Sequence, residues 1–238
     1  MAKKYRLDKM LANLGYGSRK DIKKICTRGR VTVDGKAVKD SGLNLDPEKH
    51  EIMIDEEVIQ YREYVYIMLN KPAGVISATW DNMHTTVVDL LDPMYAPFEV
   101  FPVGRLDKDT EGLLLLTNDG KLAHELLSPK KKVGKIYYAK INKEVTDDDI
   151  KSFKEGVTLD DGYKTLPAEL RVLKNDGDSE IEVQIYEGKY HQVKRMFESV
   201  GKEVTYLKRL SMGALELDNR LELGEYRELT EEELKNIS

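Results

Sequence analysis

A single cysteine, Cys26, stands in a chain of 238 residues, so no internal disulfide can form. A reducing, cytoplasmic setting is therefore expected. No apolar run approaches the roughly 20 residues that a membrane helix needs. The opening, Met1-Ala2-Lys3-Lys4-Tyr5-Arg6, leads into a charged helical pattern rather than the apolar core of a secretory signal. His50, His84, His124 and His191 are scattered, and with one cysteine they offer no zinc spacing, so no metal site is expected. Neither Gly-x-Gly-x-x-Gly nor a Walker loop is present, and there is no Gly-x-Ser-x-Gly elbow. Dinucleotide, nucleotide-hydrolysing and serine-hydrolase chemistries lose their usual signatures. Carboxylates in polar loops, many basic residues and tyrosines remain, an inventory that allows cofactor-free catalysis on an anionic polymer.

The net charge of −5 is an average over unlike segments. Residues 1–40 hold twelve Lys/Arg against four Asp, a local charge of +8, whereas residues 41–63 hold seven acids against two bases. The basic excess thus sits where an anionic partner such as nucleic acid could bind. Arg6 to Asn13 reads as a short helix with Leu7, Met10, Leu11 and Leu14 on one side. Gly15 and Gly17 stop it, and Ser18 opens a second helix with Asp21 as capping partner. Lys20, Lys24 and Arg28 recur on the face opposite Ile22, Ile25 and Cys26. The basic turn Arg28-Gly29-Arg30, a strand at Val31-Thr32-Val33, a hairpin turn at Asp34-Gly35 and a strand from Glu51 to Ile54 complete a small unit.

Residues 55–64 read as an acidic linker. A strand at Tyr64–Leu69 is expected to halt at Asn70-Lys71-Pro72-Ala73-Gly74. Val75–Ala78 then continues the sheet, Trp80–Thr86 is a loop, and Val87–Leu91 is a short helix. The centre of the chain is Gly104-Arg105-Leu106-Asp107-Lys108-Asp109-Thr110-Glu111-Gly112, a charged loop leading into Leu113-Leu114-Leu115-Leu116, a strand covered on both faces. A turn at Asn118-Asp119-Gly120 leads to a helix near Lys121–Leu127. A strand at Lys135–Ile141, a helix from Thr146 to Gly156, and strands near 166–173 and 181–186 follow. The acidic tail 215–235 reads as a solvated edge. Strands interleaved with short helices, without regular βαβ spacing, predict an α+β fold with a mostly antiparallel sheet. In Glu187–Phe197, helical phase places Val193, Met196 and Phe197 on a core stripe with Lys194 at its edge. Arg195 points away, toward solvent or phosphate. On periodicity alone this block is also an ordinary helix with a solvated basic edge.

Leu7-Asp8-Lys9, Ser18-Arg19 and Gly29-Arg30-Val31-Thr32-Val33-Asp34-Gly35 resemble the S4 RNA-binding domain over about fifty residues. Those marks are accompanied by Met68–Gly74, Gly104–Gly120, Lys135-Ile136-Tyr137, the Glu187–Phe197 block and Gly224–Glu233. Together they make the chain similar, over nearly its full length, to pseudouridine synthases of the small-ribosomal-subunit (RsuA) family. The resemblance implies an S4 module at 5–60 and a catalytic domain at 64–232. It assigns Asp107 as the catalytic residue, with Tyr137 and Lys194 beside it. Arg19, Lys20, Lys24, Arg28, Arg30, Arg105, Lys189 and Arg195 become the expected RNA-binding residues. Many relatives carry Arg at the Lys194 and Lys189 positions; the charge survives here, but a bidentate geometry does not.

The implied reaction breaks the bond from C1′ of uridine to N1, turns the uracil and joins C1′ to C5. Nothing is oxidised, so no redox cofactor is expected. The aspartate serves as nucleophile or base, and a tyrosine ring stacks on the extruded base. Arg105 occupies the gap or holds a flanking phosphate. Three readings stand: a monomeric enzyme acting on 16S rRNA or a pre-ribosomal small-subunit particle, the same enzyme acting on 23S rRNA, and a non-catalytic rRNA-binding assembly factor.

Overall fold

The computed structural model of the protein describes residues 4–59 and 61–237. Met1–Lys3 of the basic opening and Gln60 of the expected linker lie outside the described residues. Two units are distinguished: one groups the chain up to Val65 with Asp92–Val100, the other holds Tyr66–Leu91 and everything from Phe101 onward.

In the N-terminal unit, β1 (Tyr5–Arg6) precedes α1 (Leu7–Asn13) and α2 (Arg19–Thr27). Ser18 caps α2 by accepting from the Asp21 amide at 3.3 Å. β2 (Val31–Val33), β3 (Lys36–Ala37), β4 (Asn44–Leu45), β5 (Ile52–Ile54) and β6 (Glu57–Val58) follow, with sheet order β3-β2-β5-β6 and β1 paired to β4. Asp34 and Gly35 both take positive φ, 51° and 73°, as a two-residue hairpin turn requires. Leu7, Met10, Leu11, Ile22, Cys26 and Val31 form the core.

The expectation of a linker at 55–64 is corrected. Asp55 and Glu56 turn the chain into β6, and the Tyr5 hydroxyl donates to Glu63 at 2.6 Å, so this stretch completes the N-terminal unit. An acidic composition fits a hairpin edge as well as a linker, and composition cannot tell them apart. Asp92–Val100 also packs here. Its 3₁₀ turn at Pro93–Phe98 brings Pro97 against Gly15, where a Cβ would lie 2.7 Å from the proline ring.

The second unit runs β7 (Tyr66–Lys71), β8 (Phe101–Pro102), β9 (Glu111–Thr117), α3 (Gly120–Leu127), β10 (Lys135–Ile141), α4 (Asp147–Glu155), β11 (Glu169–Asp176), β12 (Asp178–Ile185), α5 (Gln192–Glu198), β13 (Val204–Met212), β14 (Leu215–Glu216), β15 (Tyr226–Glu228) and α6 (Glu231–Ile237). One sheet takes the order β11-β12-β10-β13-β9-β7-β15, and among its pairings in the described residues only β9–β13 is parallel. The α+β, mostly antiparallel expectation holds. Leu113 to Leu116 are fully buried, as a strand covered on both faces must be. Leu113 and Leu115 pack with Leu122, Ala123 and Leu126 of α3, while Phe153 and Phe197 join α4 to α5 with ring centroids 4.8 Å apart.

Four expectations are corrected. Asn70 and Lys71 extend β7 instead of halting it, because the C-terminal segment supplies backbone partners: Asn70 donates to Glu225 and accepts from Gly224. Pro72, with no donor, ends the strand. Val75–Ala78 contributes a single bridge, Ile76 to Thr86, rather than a strand. Residues 87–91 form turns, not a helix, since Asp89 Oδ2 accepts from both the amide and hydroxyl of Thr86 and closes a local turn. The acidic tail is a solvated edge only in part: Glu216, Glu222, Glu225, Glu231 and Glu232 are exposed, but the segment also packs inward. Leu215 and Ile237 enter the core, and Arg227 ties Asp218 (2.7 Å) to Glu233 (2.7 and 2.8 Å), holding the Glu233 carboxyl down at about 2. Among the described residues no helix is long and apolar enough to cross a membrane.

Gly112 lies in the parallel junction of β9 with β13, opposite Arg209 and at φ +99°. A Cβ there would lie 2.3 Å from the Arg209 carbonyl oxygen and 2.8 Å from its nitrogen. Backbone strain and overpacking add, so Gly112→Ala should cost about 3 kcal/mol or more. Gly120, with open space around it at the first position of α3, should accept alanine with no loss. Urea unfolding of the two variants checks this contrast.

Candidate active site

The loop Gly104–Thr110 enters β9 and carries Asp107 at its turn, where the Thr110 amide donates to the Asp107 carbonyl at 3.1 Å. Two side chains fix it. Ser77 grips Leu106 both ways, its hydroxyl donating to the Leu106 carbonyl (2.9 Å) and accepting from the Leu106 amide (3.0 Å). Lys71, 0% exposed, donates to the carbonyls of Pro72 (2.9 Å), Thr110 (2.9 Å) and Lys108 (3.4 Å). The Gly74 amide donates to the same Lys108 carbonyl at 2.7 Å. Burial lowers the Lys71 pKa to about 8, against the opposing pull of Asp109, Asp107 and Glu111. Sequence reading placed Lys71 in a turn and missed this role; a lysine before proline gives no periodic signal.

Asp107, partly exposed, meets two groups of the Glu187–Phe197 block. Lys194 Nζ stands 3.5 Å from its Oδ2, and His191 Nε2 stands 3.7 Å from its Oδ1. Lys194 makes its shorter contacts with Asp109, at 2.6 and 2.9 Å, and this hydrogen bond holds the Asp109 carboxyl below its ordinary range. The ammonium is thus shared between two carboxylates, and Asp109 has the larger part. Tyr137, buried on β10, lines a cavity of about 70 Å³ together with Asp107, Thr110, Val193 and Leu207. Asp107, Tyr137 and Lys194 are therefore brought to one place. Asp109 and His191 were missed in sequence: the first sits in a run of turn-forming acids, the second in an isolated αL position (φ 49°) before α5.

Arg105 is exposed at the rim. Lys189, also exposed, lies 4.4 Å over the Tyr163 ring. Glu187 and Gln192 hold the segment between them: Glu187 accepts from Gln192 (2.8 Å), from the Leu166 amide (2.9 Å) and from the Tyr163 hydroxyl (2.6 Å). Gln192 accepts from the Lys189 amide at 2.8 Å. Arg195 departs from expectation. It points away from the core stripe, as phase requires, but its side chain is only 13% exposed and pairs with Asp160 and with Asp161 (2.7 Å). The loop at 158–164 folds over that side of the helix, and periodicity within one helix cannot reveal a loop from elsewhere. In the N-terminal unit, Arg19, Lys20, Lys24 and Arg28 are exposed on or beside α2. Lys24 pairs with Asp21 at 2.9 Å, and Arg30 is taken up by Asp55 in a two-point contact.

Removing the Lys71 ammonium leaves three loop carbonyls without their donor, so Lys71→Met should cost about 2–4 kcal/mol at pH 7. The native state holds this proton less tightly than the unfolded chain, where the pKa is 10.5. Between about pH 8 and that value the unfolded state carries more protons, so the contribution of Lys71 to stability rises with pH. Urea unfolding from pH 7 to 10 should show that rise in the unmodified chain and its loss in Lys71→Met.

Residues 65–199 match the family model for RNA pseudouridylate synthase and residues 6–50 that for the S4 domain. An uncharacterized RNA pseudouridine synthase of Bacillus subtilis is 56% identical, with 96% of both chains covered. The ribosomal small subunit pseudouridine synthase A of Escherichia coli is 40% identical over 98% of this chain and 99% of its own. The ribosomal large subunit pseudouridine synthase B of Bacillus subtilis is 38% identical over 98% and 95%. A crystal structure of a pseudouridylate synthase superposes with a TM-score of 0.69 at 34% identity, covering 98% of this chain and 99% of that one. With both family models matched in order and relatives of this identity covering nearly the whole chain, the chain belongs to the RsuA family of RNA pseudouridine synthases.

Proposed function

We propose that the enzyme isomerises one uridine of 16S ribosomal RNA, in the cytoplasm and as a monomer, with Asp107 acting at the ribose. The observation that carries this reading is the meeting of Asp107 with Lys194 on one side and the Tyr137-lined cavity on the other. A flipped uracil entering that cavity has Tyr137 to stack on and the carboxylate at its edge. Lys194 attends the Asp107 carboxylate at 3.5 Å without closing on it, because Asp109 holds the ammonium nearer, at 2.6 Å. The named catalytic residues all come from the second unit of one chain, which supports action without a partner subunit. The Tyr190–Met196 block supports the small subunit. The relatives bear both small- and large-subunit names at nearly equal identity, so 23S rRNA is the competing substrate.

Lys20, Lys24 and Arg28 are the proposed phosphate-docking face of the S4 unit, with Arg19 beside them and Arg30 held back by Asp55. At the catalytic site, Arg105 and Lys189 supply exposed cations for the flanking strand. Arg195 is reassigned to holding the 158–164 loop.

Pseudouridine mapping of rRNA from cells with and without this gene should show one 16S position lost; a missing 23S position instead would reassign the substrate. Asp107→Asn should lower turnover about 10³-fold or more while keeping RNA affinity. Lys194→Met should slow the single-turnover rate with little change in binding, Lys194→Arg less so. Near-normal product formation by Asp107→Asn would sink the assignment.

Replacing Lys20, Lys24 and Arg28 together by Ala should weaken rRNA binding and flatten its salt dependence by a log–log slope of about 2–3. Filter binding at several salt concentrations reads this directly. The substitutions are preferable to deleting residues 1–60, because Asp92–Val100 packs with the N-terminal unit and would lose its cover.

A further inference from the structure

Beside the small cavity lies a second one of about 710 Å³, in the range that encloses a ligand of nucleotide size. The two share Asp107, Arg105, Lys189 and His191, but only the small one includes Tyr137. The large one runs on from Asp107 past Lys135 to Tyr163, Tyr186 and Tyr190. Its charged lining is Arg105, Lys108, Lys135 and Lys189 against Asp107 and Glu187, and Glu187 is already committed to three donors. An anionic ligand suits that balance.

Two of these side chains have no task in the chemistry described above. Lys135 is nine-tenths buried, and its ammonium donates to the Val133 carbonyl at 3.1 Å. No carboxylate pairs with it among the described residues, and burial, then Arg209, lowers its pKa. A desolvated cation in a cavity wall with one of three donors spoken for is matched by an incoming anion. Tyr190 is 71% exposed, and its ring lies flat on His191, centroids 3.8 Å apart at 16°. Buried hydrophobic packing does not account for so exposed a ring. Another flat ring can extend the stack on its open face.

We propose that the larger cavity is a second nucleotide subsite, which takes the unpaired ribonucleotide next to the target uridine, its base stacked on Tyr190 and its phosphate held by Lys135. The inference rests on the RNA-modifying reading and deepens it: the substrate is locally single-stranded on at least one side of the uridine. The larger cavity adjoins the small one at Asp107, which gives a strand that delivers its base into the small cavity a path onward.

The test uses the full chain and single-stranded pentaribonucleotides with a central uridine, carrying 2-aminopurine or an abasic residue on its 5′ or 3′ side. The 2-aminopurine should be quenched saturably on one side, and an abasic residue there should weaken binding about 5- to 150-fold, the range of one base stack. Tyr190→Ala should reduce that penalty to about twofold or less. Lys135→Met should weaken binding of the intact probe and lower the salt slope by about 1. Tyr190 is largely exposed, so Tyr190→Ala carries the test alone if Lys135→Met does not fold. Absent saturable quenching, no abasic penalty, or a penalty unchanged in Tyr190→Ala would overturn the proposal. These readouts are of binding, whereas failure of the functional reading would appear separately, as unchanged rRNA pseudouridine in cells lacking the gene.

Discussion

The catalytic half of the molecule depends on a lysine ammonium buried beneath a loop. Lys71 has no access to water, and its three donors are given to backbone carbonyls at 72, 108 and 110. Burying a charge is costly, and its lowered pKa is the mark of that cost. The offset is positional: two of those carbonyls, at 108 and 110, follow Asp107 within three residues, so the loop cannot shift without exposing them. Ser77 holds the preceding residue in both directions, and Gly112 lets β13 approach the following strand where any side chain would collide. Held on both sides, the carboxylate has a defined place relative to Tyr137 on β10.

Around Asp107 the charges are arranged in competition rather than as a simple pair. Lys194 lies closer to Asp109 than to Asp107, by 2.6 Å against 3.5 Å. A carboxylate proposed to act at a sugar carbon is better left incompletely paired, since a close ion pair would have to be broken first. His191 stands off its other oxygen at 3.7 Å, in a backbone conformation that few side chains adopt without support. That support is visible in the Glu187–Gln192 hydrogen bond, which closes the segment below it. The 158–164 loop, clipped by Arg195, brings Tyr163 under Lys189, so a cation tied up in ion pairs and an exposed one meet the same loop.

The overall acidity of the chain conceals this distribution. Two acids in the tail, Asp218 and Glu233, serve as internal partners for Arg227. Acids in the N-terminal unit do the same: Asp55 takes up Arg30, leaving Lys20 and Arg28 exposed on or beside α2. Net charge is therefore a poor guide to partner here, and which cations are already paired is a better one.

What the sequence determined by itself was what depends on neighbours along the chain. Ser18 with Asp21 announced a cap and Asp34-Gly35 a turn because those signals are local. The four leucines announced a doubly covered strand, and Asp107 stood out through its motif. Tertiary structure alone decided where distant segments meet. It put Lys71 under the loop 36 residues further on, gave Lys194 to Asp109 before Asp107, turned Arg195 from a free cation into a clip, and drew the acidic tail onto β7 and β13. A buried lysine, an exposed one and a clipped arginine look alike in one dimension, because desolvation and pairing are properties of the packed surroundings. Hydrophobic period and turn chemistry are read within a few residues, whereas electrostatic partners are chosen by whichever chains the folded sheet brings within about 4 Å.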